Sequence, residues 1–215
     1  MKSSSIGRKL IMSISGMFLI LFMVVHLTVN LTSLISREAY ESACRFMDEN
    51  IIIRFMVPVL ALGFVVHIAY AIILTLRNRK ARPENYKVKS KTKTSWASKN
   101  MLILGVIVLG FLITHLTHFW AKMQLQQLLG KEGENPYDLV KNLFTNGFYV
   151  VVYLIWITAL YLHMSHGFWS MFQSMGATNN KWIPRIQLIS KIFSLIIALG
   201  FATIPVYFFL GFGDA

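Results

Sequence analysis

The sequence predicts an all-α integral membrane protein, a bundle of five transmembrane helices with its N-terminus cytoplasmic and its C-terminus outside. Three observations lead to this fold class. The 215 residues are 55% hydrophobic and only 14% charged, whereas a soluble domain carries about 25% charged residues. Five long apolar runs follow one another along the chain, and basic residues gather on alternate sides of them. A lipid bilayer is therefore the predicted solvent and partner.

The five apolar runs cover residues 10–35, 52–76, 100–121, 146–172 and 187–211. Each reaches about 20 residues, which as a helix crosses a hydrocarbon core of about 30 Å. Helix is expected because the backbone must satisfy its own hydrogen bonds in lipid. The first run is too long for a signal peptide and no small-x-small cleavage site follows it, so we expect an uncleaved helix. Residues 1–215 are expected to form a single membrane domain.

The loop charges predict the orientation. Nine basic residues and one acidic residue, Glu84, lie in the segment 77–99. The positive-inside rule makes this segment cytoplasmic. Five crossings then leave +14 inside and −2 outside, so the net charge of +12 indicates topology. No element that could read a nucleic acid accompanies the basic residues, and we expect no nucleic-acid partner. The single cysteine, Cys44, excludes a disulfide framework and a thiolate-held iron–sulfur cluster.

All six histidines lie inside the apolar runs: His26 in the first, His67 in the second, His115 and His118 in the third, His163 and His166 in the fourth. A polar side chain in the membrane interior is costly and usually functional. The alternative is that they are hydrogen-bonding residues between helices. That alternative suits one or two histidines better than at least one on each of four helices.

The depth of the histidines predicts two pairs. At a rise of about 1.5 Å per residue, His26 and His115 lie about 24 and 22 Å from the inner ends of their helices. His67 and His163 both lie about 13 Å from theirs. Two imidazoles from different helices at one depth could bind one iron from opposite faces.

The donor set favours haem over other metal centres. No carboxylate lies at the depth of the histidines, which argues against catalytic zinc, carboxylate-bridged di-iron and proton or cation carriage. Two neutral imidazoles per site fit bis-histidine b-type haem, and the predicted cofactors are two haems b. A six-coordinate iron has no open position, so electron transfer is expected rather than oxygen binding.

The neighbours at i−4 and i+4 differ between the histidines: they are Gly63 and Ala71 around His67, Ala159 and Gly167 around His163, but Leu162 and Ser170 around His166. Small neighbours would leave room for a flat macrocycle, which favours His163 over His166. They could equally mark helix–helix contacts. Spacing alone leaves His115 against His118 undecided.

Four stretches carry a family resemblance. They are SGMFLILFMVVHL (15–27), HIAYAIILTLRNRKARPENY (67–86), FLITHLTHFW (111–120) and LHMSHGFWSMFQSMG (162–176). In this order, with five crossings, the chain resembles the five-helix, di-haem cytochrome b membrane-anchor subunit of succinate dehydrogenases and fumarate reductases. The resemblance covers about residues 7–212.

This resemblance implies an electron-transfer subunit that does no chemistry on the dicarboxylate itself. It would anchor a flavoprotein and an iron–sulfur subunit on the cytoplasmic side of a bacterial inner membrane and pass their electrons to or from a membrane quinone, taken as menaquinone. His67 and His163 would bind the inner haem, and His26 and His115 the outer haem. His166 would contact a propionate or an axial ligand, and His118 stays a further cofactor-binding candidate.

Some members of that family use an acidic residue near the outer end of the second helix in quinol chemistry. Asp48 and Glu49 occupy that region here, and quinol oxidation needs a proton acceptor at the membrane edge. The alternative is an ordinary solvated acidic loop.

Two other functions remain open at this point. One is a haem b, quinone-linked anchor of another respiratory dehydrogenase, such as a hydrogenase or a formate dehydrogenase. The other is a haem-free, histidine-lined transporter. The stretches RNRKARPENY and HGFWSMFQ favour the succinate dehydrogenase and fumarate reductase family.

Overall fold

A computed structural model describes residues 5–80, 96–176 and 178–214. Within them the regular structure is entirely helical. The α-helices are α1 (Ser5–Leu31), α2 (Arg37–Glu49), α3 (Ile51–Lys80), α4 (Trp96–Lys99), α5 (Met101–His115), α6 (Gln124–Leu128), α7 (Pro136–Phe144), α8 (Gly147–Ser174) and α9 (Ile183–Phe209). Short 3₁₀ turns follow α1 (Thr32–Leu34) and α9 (Phe212–Asp214), and a π-helical turn follows α5 (Leu116–Trp120).

Five of these segments are long and apolar enough to cross a membrane: Ile6–Leu34, Ile51–Lys80, Met101–Trp120, Gly147–Ser174 and Ile183–Phe209. They coincide with the five predicted runs to within a few residues, so the predicted all-helical fold with five candidate spans is confirmed for the described residues. Pro58 in α3 and Pro205 in α9 do not end their helices. The orientation stays a prediction, and most of the basic segment 77–99 lies outside the described residues.

The long helices form an asymmetric bundle. Helices α1 and α8 pack against each other, and α9 packs on both, with its most extensive contact on α8. Helix α3 packs mainly on α1, and α5 mainly on α8. Within the described residues α3 shares no extensive backbone contact with α5 or α8, and α1 shares none with α5. Helices α3 and α5 therefore flank the α1–α8 pair. Any contact between α3 and α8, or between α1 and α5, must be made mainly by side chains.

Small polar residues allow α9 to approach α8 closely. Ser190 and Ser194 on α9 are fully buried, and the Ser190 hydroxyl donates a hydrogen bond to the backbone carbonyl of Ser165. In lipid the hydrophobic effect does not drive helices together, so close packing and such hydrogen bonds hold them. Helix α8 ends at Ser174, and Gly176, two residues later, has a φ of +74°, which glycine adopts without steric cost.

Short helices cover one end of the bundle, which we call the outer end because the sequence predicts that it faces outside. The segments 36–51 and 122–145, which separate predicted apolar runs, contain α2, α6 and α7. The Ser36 side chain caps α2, and the Asn135 side chain caps α7, whose first residue is proline. Both helices place aromatic residues in the main buried cluster: Tyr40 from α2, and Tyr137 and Phe144 from α7.

An ion pair joins these two helices at the outer surface. The guanidinium of Arg37 on α2 bonds the carboxylate of Asp138 on α7 and lies 3.3 Å from Oε1 of Glu41. Asp138 is the main cause that raises the pKa of Arg37, although the pair is exposed. Beneath it, burial raises the pKa of Tyr40 far above its usual range and that of Cys44 to about 11. At neutral pH both side chains are thus protonated.

Candidate haem-binding histidine pairs

The inner histidine pair joins the flanking helix α3 to the central helix α8. His67 on α3 and His163 on α8 face each other with ring centroids 6.3 Å apart and ring planes at 67°. Glycines of neighbouring helices lie against both rings. A Cβ added at Gly16 of α1 would lie 3.5 Å from Cε1 of His67, and one added at Gly105 of α5 would lie 3.7 Å from Cε1 of His163. Larger side chains at these glycines would crowd the imidazoles.

The His67 ring has a hydrogen-bond partner on α1. Nδ1 of His67 lies 3.3 Å from Oγ of Ser15. The Ser15 hydroxyl itself donates to the backbone carbonyl of Met12 at 3.0 Å. Ser15 is buried, so this contact is made away from water.

The outer histidine pair has aromatic surroundings. His26 on α1 and His115 on α5 have ring centroids 5.7 Å apart and nearly perpendicular planes. Phe22 stacks on His26 at 5.2 Å. Phe119, one helical turn beyond His115, lies 5.0 Å from its ring. The apolar rings exclude water from this level of the bundle.

A chain of polar contacts leads from the outer pair to Tyr40, a buried residue of α2. The Asn30 side-chain amide donates to the backbone carbonyl of His26 at 2.8 Å and lies 3.4 Å from Nδ1 of the same residue. The Tyr40 hydroxyl donates to Oδ1 of Asn30 at 3.3 Å. The side-chain amide of Asn30 thus connects His26 to Tyr40 on α2.

The remaining two histidines face other groups. His118 lies on the π-helical turn, and its Nδ1 is 3.0 Å from the Tyr153 hydroxyl. The Tyr149 ring also lies against His118, with centroids 5.2 Å apart. His166 contacts Trp169 on its own helix. Of His115 and His118, the structure therefore brings His115 opposite another histidine. Of His163 and His166, it brings His163 opposite another histidine.

The spacing within the inner pair fits a shared metal ion, and the rings of the outer pair lie closer together than such an ion requires. Imidazole nitrogens bind metals at about 2.0 Å, and the ring centre lies about 1.2 Å further on, so two rings on opposite sides of one ion stand about 6.4 Å apart. The observed separations are 6.3 and 5.7 Å. No group of three or more His, Cys, Asp or Glu that could hold a metal occurs among the described residues. The donor sets are thus pairs of imidazoles, as bis-histidine haem requires.

Buried ring nitrogens without a partner also mark these histidines. Within the described part of the chain, Nδ1 of His115, His163 and His166 is buried and makes no hydrogen bond. A buried polar atom without a partner costs about 1–3 kcal/mol. Residues that keep such atoms are candidates for binding a group that is not protein.

The small residues beside the inner histidines have mixed roles. A Cβ at Gly63 would come within 2.8 Å of the Phe18 ring on α1, so Gly63 allows close helix contact. A Cβ at Gly167 would lie 3.8 Å from the Met101 side chain. The glycines that face the imidazoles, Gly16 and Gly105, were missed, because sequence spacing along one helix does not show what a neighbouring helix presents.

The two predicted quinone residues lie at the outer end. Asp48 and Glu49 form the last turn of α2, and both are exposed. The side-chain amide of Gln124, at the start of α6, donates to Oδ1 of Asp48 at 3.5 Å. Both carboxylates are therefore exposed on α2, directly before the candidate span Ile51–Lys80.

The chain is similar over most of its length to a curated protein. It is 25% identical over 179 residues to the succinate dehydrogenase cytochrome b558 subunit of Bacillus subtilis (strain 168), and the matched region covers 82% of this chain and 81% of that protein. No protein-family model matches the chain, and no solved structure matches it.

Proposed function

We propose that this chain is the cytochrome b membrane anchor of a succinate dehydrogenase or fumarate reductase complex. It would pass electrons between a cytoplasmic iron–sulfur flavoprotein and a membrane quinone through two bis-histidine haems b. The observation that carries the proposal is the presence of two cross-helix histidine pairs at two depths. Similarity to a succinate dehydrogenase cytochrome b subunit supports the choice of complex.

In this proposal His67 and His163 hold the inner haem, and His26 and His115 hold the outer haem. Each haem, when bound, supplies a one-electron ferric–ferrous couple. The histidines would hold the haems as neutral imidazoles in an apolar interior, and the chemistry supplied there would be electron transfer rather than oxygen binding. The aromatic rings around the outer pair and the packed α8–α9 interface keep water away. This lowers the solvent reorganisation energy, which otherwise slows electron transfer.

The partners follow from the predicted orientation. The flavoprotein and iron–sulfur subunits would dock at the inner end, where the sequence places most of the basic residues, on the cytoplasmic face of a bacterial inner membrane. Menaquinone would react near the outer end. There Asp48 and Glu49 would exchange its protons with water, since both carboxylates are exposed on α2 directly before the candidate span Ile51–Lys80.

The decisive experiment is purification of the complex from native membranes. We expect co-purifying flavoprotein and iron–sulfur subunits, two haems b per anchor chain by pyridine haemochrome, and a redox titration with two components. A hydrogenase or formate dehydrogenase as the co-purifying partner would assign the anchor to a different respiratory complex. Purified protein without haem absorbance would overturn the proposal and favour the histidine-lined transporter.

A further inference from the structure

We propose that Ser15 is a positioning residue for the inner haem. Its Oγ holds His67 as the tautomer with a proton on Nδ1, which leaves Nε2 free to bind iron. This inference rests on the proposed function, because it concerns how one of the ligands is prepared. Ser15 lies on α1, contacts the Nδ1 of His67 on α3, and would act through this imidazole as a positioning residue.

The hydrogen bonds of the Ser15 hydroxyl favour one tautomer of His67. A serine hydroxyl has one proton and can also accept hydrogen bonds. A backbone carbonyl can only accept, so the 3.0 Å bond to Met12 uses the Ser15 proton. Nδ1 of His67, 3.3 Å from the same oxygen, can then bond only as the donor. A neutral imidazole with its proton on Nδ1 has its lone pair on Nε2.

The surroundings make this arrangement persistent. Ser15 is 8% exposed, and the neighbouring Gly16 brings the α1 backbone against the His67 ring. Together these two consecutive residues seat the imidazole on α1, although His67 belongs to α3. A buried hydroxyl away from water has few alternative partners, so the two hydrogen bonds are expected to persist.

The other proposed ligands lack this support. Within the described residues, Nδ1 of His163 and of His115 has no hydrogen-bond partner. Nδ1 of His26 lies near an amide nitrogen, which is a donor. His67 is thus the proposed ligand whose Nδ1 meets an oxygen acceptor. Such contacts orient metal-binding histidines and raise their basicity. A more basic ligand stabilises ferric iron and lowers the reduction potential.

The test compares three variants of the full complex. Ser15→Ala removes the hydroxyl, Ser15→Thr retains it, and Ser13→Ala removes another buried serine hydroxyl of α1, about 200° around the helix. The measurements are the midpoint potential of each haem, the low-spin EPR signals, and the rate at which haem passes to added apomyoglobin. The haem lost in His67→Ala identifies the inner one.

For Ser15→Ala we expect the inner haem to become easier to reduce. The ratio of reduced to oxidised inner haem at a fixed potential should rise about tenfold, equivalent to 59 mV for one electron. Transfer of this haem to apomyoglobin should increase about 10- to 100-fold, the usual effect of losing a partner of a ligating histidine. Ser15→Thr and Ser13→Ala should resemble the unmodified protein.

The outcomes separate this inference from the function on which it rests. Unmodified protein without haem overturns the proposed function. Two haems in the unmodified protein, with an unchanged inner potential, EPR signal and haem-transfer rate in Ser15→Ala, overturn only the role of Ser15. A potential shift of equal size in Ser13→Ala would also overturn it, because the effect would then come from general loosening of α1.

If Ser15→Ala does not assemble, a shifted inner potential in Ser15→Thr likewise overturns the role of Ser15, and an unchanged one supports it.

Discussion

The rings of His67 on α3 and His163 on α8 face each other with centroids 6.3 Å apart. Their two helices share no extensive backbone contact in the described part of the chain. Helices held together by packing alone would close such a space with interlocking apolar side chains. Here two imidazoles occupy it, with glycines of α1 and α5 on either side. The relationship is what a ligand-bridged interface requires, and the following predictions test it.

Replacement of His67 by alanine should remove one of the two haems. The remaining imidazole cannot provide the second axial bond, and a b-type haem has no covalent attachment to the protein. Haem per chain, measured by pyridine haemochrome on purified complex, should fall from about two to about one.

His166→Ala is the matched control, since His166 lies one turn from His163 but contacts Trp169. It should retain both haems. Loss of a haem from His166→Ala together with two haems in His67→Ala would contradict the inner pair.

The outer pair makes a similar prediction that separates two neighbouring histidines. His115→Ala should lose the outer haem, because the His115 ring faces His26. His118→Ala should retain it and lose about 0.5–1.5 kcal/mol of stability, since its hydrogen bond to Tyr153 is removed. Haem content and thermal unfolding distinguish these results, and two haems in His115→Ala would show that the assignment of this ligand is wrong.

Side chains introduced at the glycines beside the inner imidazoles should reduce the inner haem content more as they become larger. Gly105→Ala should be tolerated, because its Cβ would meet Cε1 of His163 at an ordinary 3.7 Å. Gly105→Leu should displace the ring and reduce the inner haem content. Gly110→Leu on the same helix is the control, since nothing lies within 4 Å of a Cβ there. Equal haem loss from both leucine variants would mean that α5 itself is being disturbed.

Tyr40 and Asn30, which connect α2 to His26, should be energetically coupled. Tyr40→Phe removes the bond to Asn30 and should lower the free energy of unfolding by about 0.5–1.5 kcal/mol, because Tyr40 is buried. In a double-mutant cycle with Asn30→Ala, measured by thermal unfolding, the two effects should not add. Strict additivity would show that the amide does not transmit the contact.

The predicted orientation can be tested by cysteine labelling. Cys44 is half-buried and its pKa is raised to about 11, so its thiolate is scarce at neutral pH and Cys44→Ala gives a clean background. A cysteine at Ser42, which is exposed on α2, should react with an impermeant maleimide in intact cells. A cysteine at exposed Asn180, between α8 and α9, should react only after lysis. The reverse pattern would invert the topology.

Much of the architecture could be predicted because membrane helices are specified locally. Their length and hydrophobicity are properties of consecutive residues, and the five spans agree with the runs in the sequence. The two histidine depths needed only the helical rise and an antiparallel order. The helices of the outer end were missed: α2 and α7 are short and amphipathic, and tertiary packing of Tyr40 and Tyr137 rather than intrinsic propensity maintains them.

The sequence by itself determined the number of spans, the placement of six histidines in apolar segments and the sorting of charge between loops, since each depends on residues near one another in the chain. Only the tertiary structure decided that His115 and His163, rather than His118 and His166, face another histidine. It alone placed Ser15 and Gly16 against His67. These contacts depend on how each helix is rotated about its axis, and that rotation follows from the packing of the whole bundle.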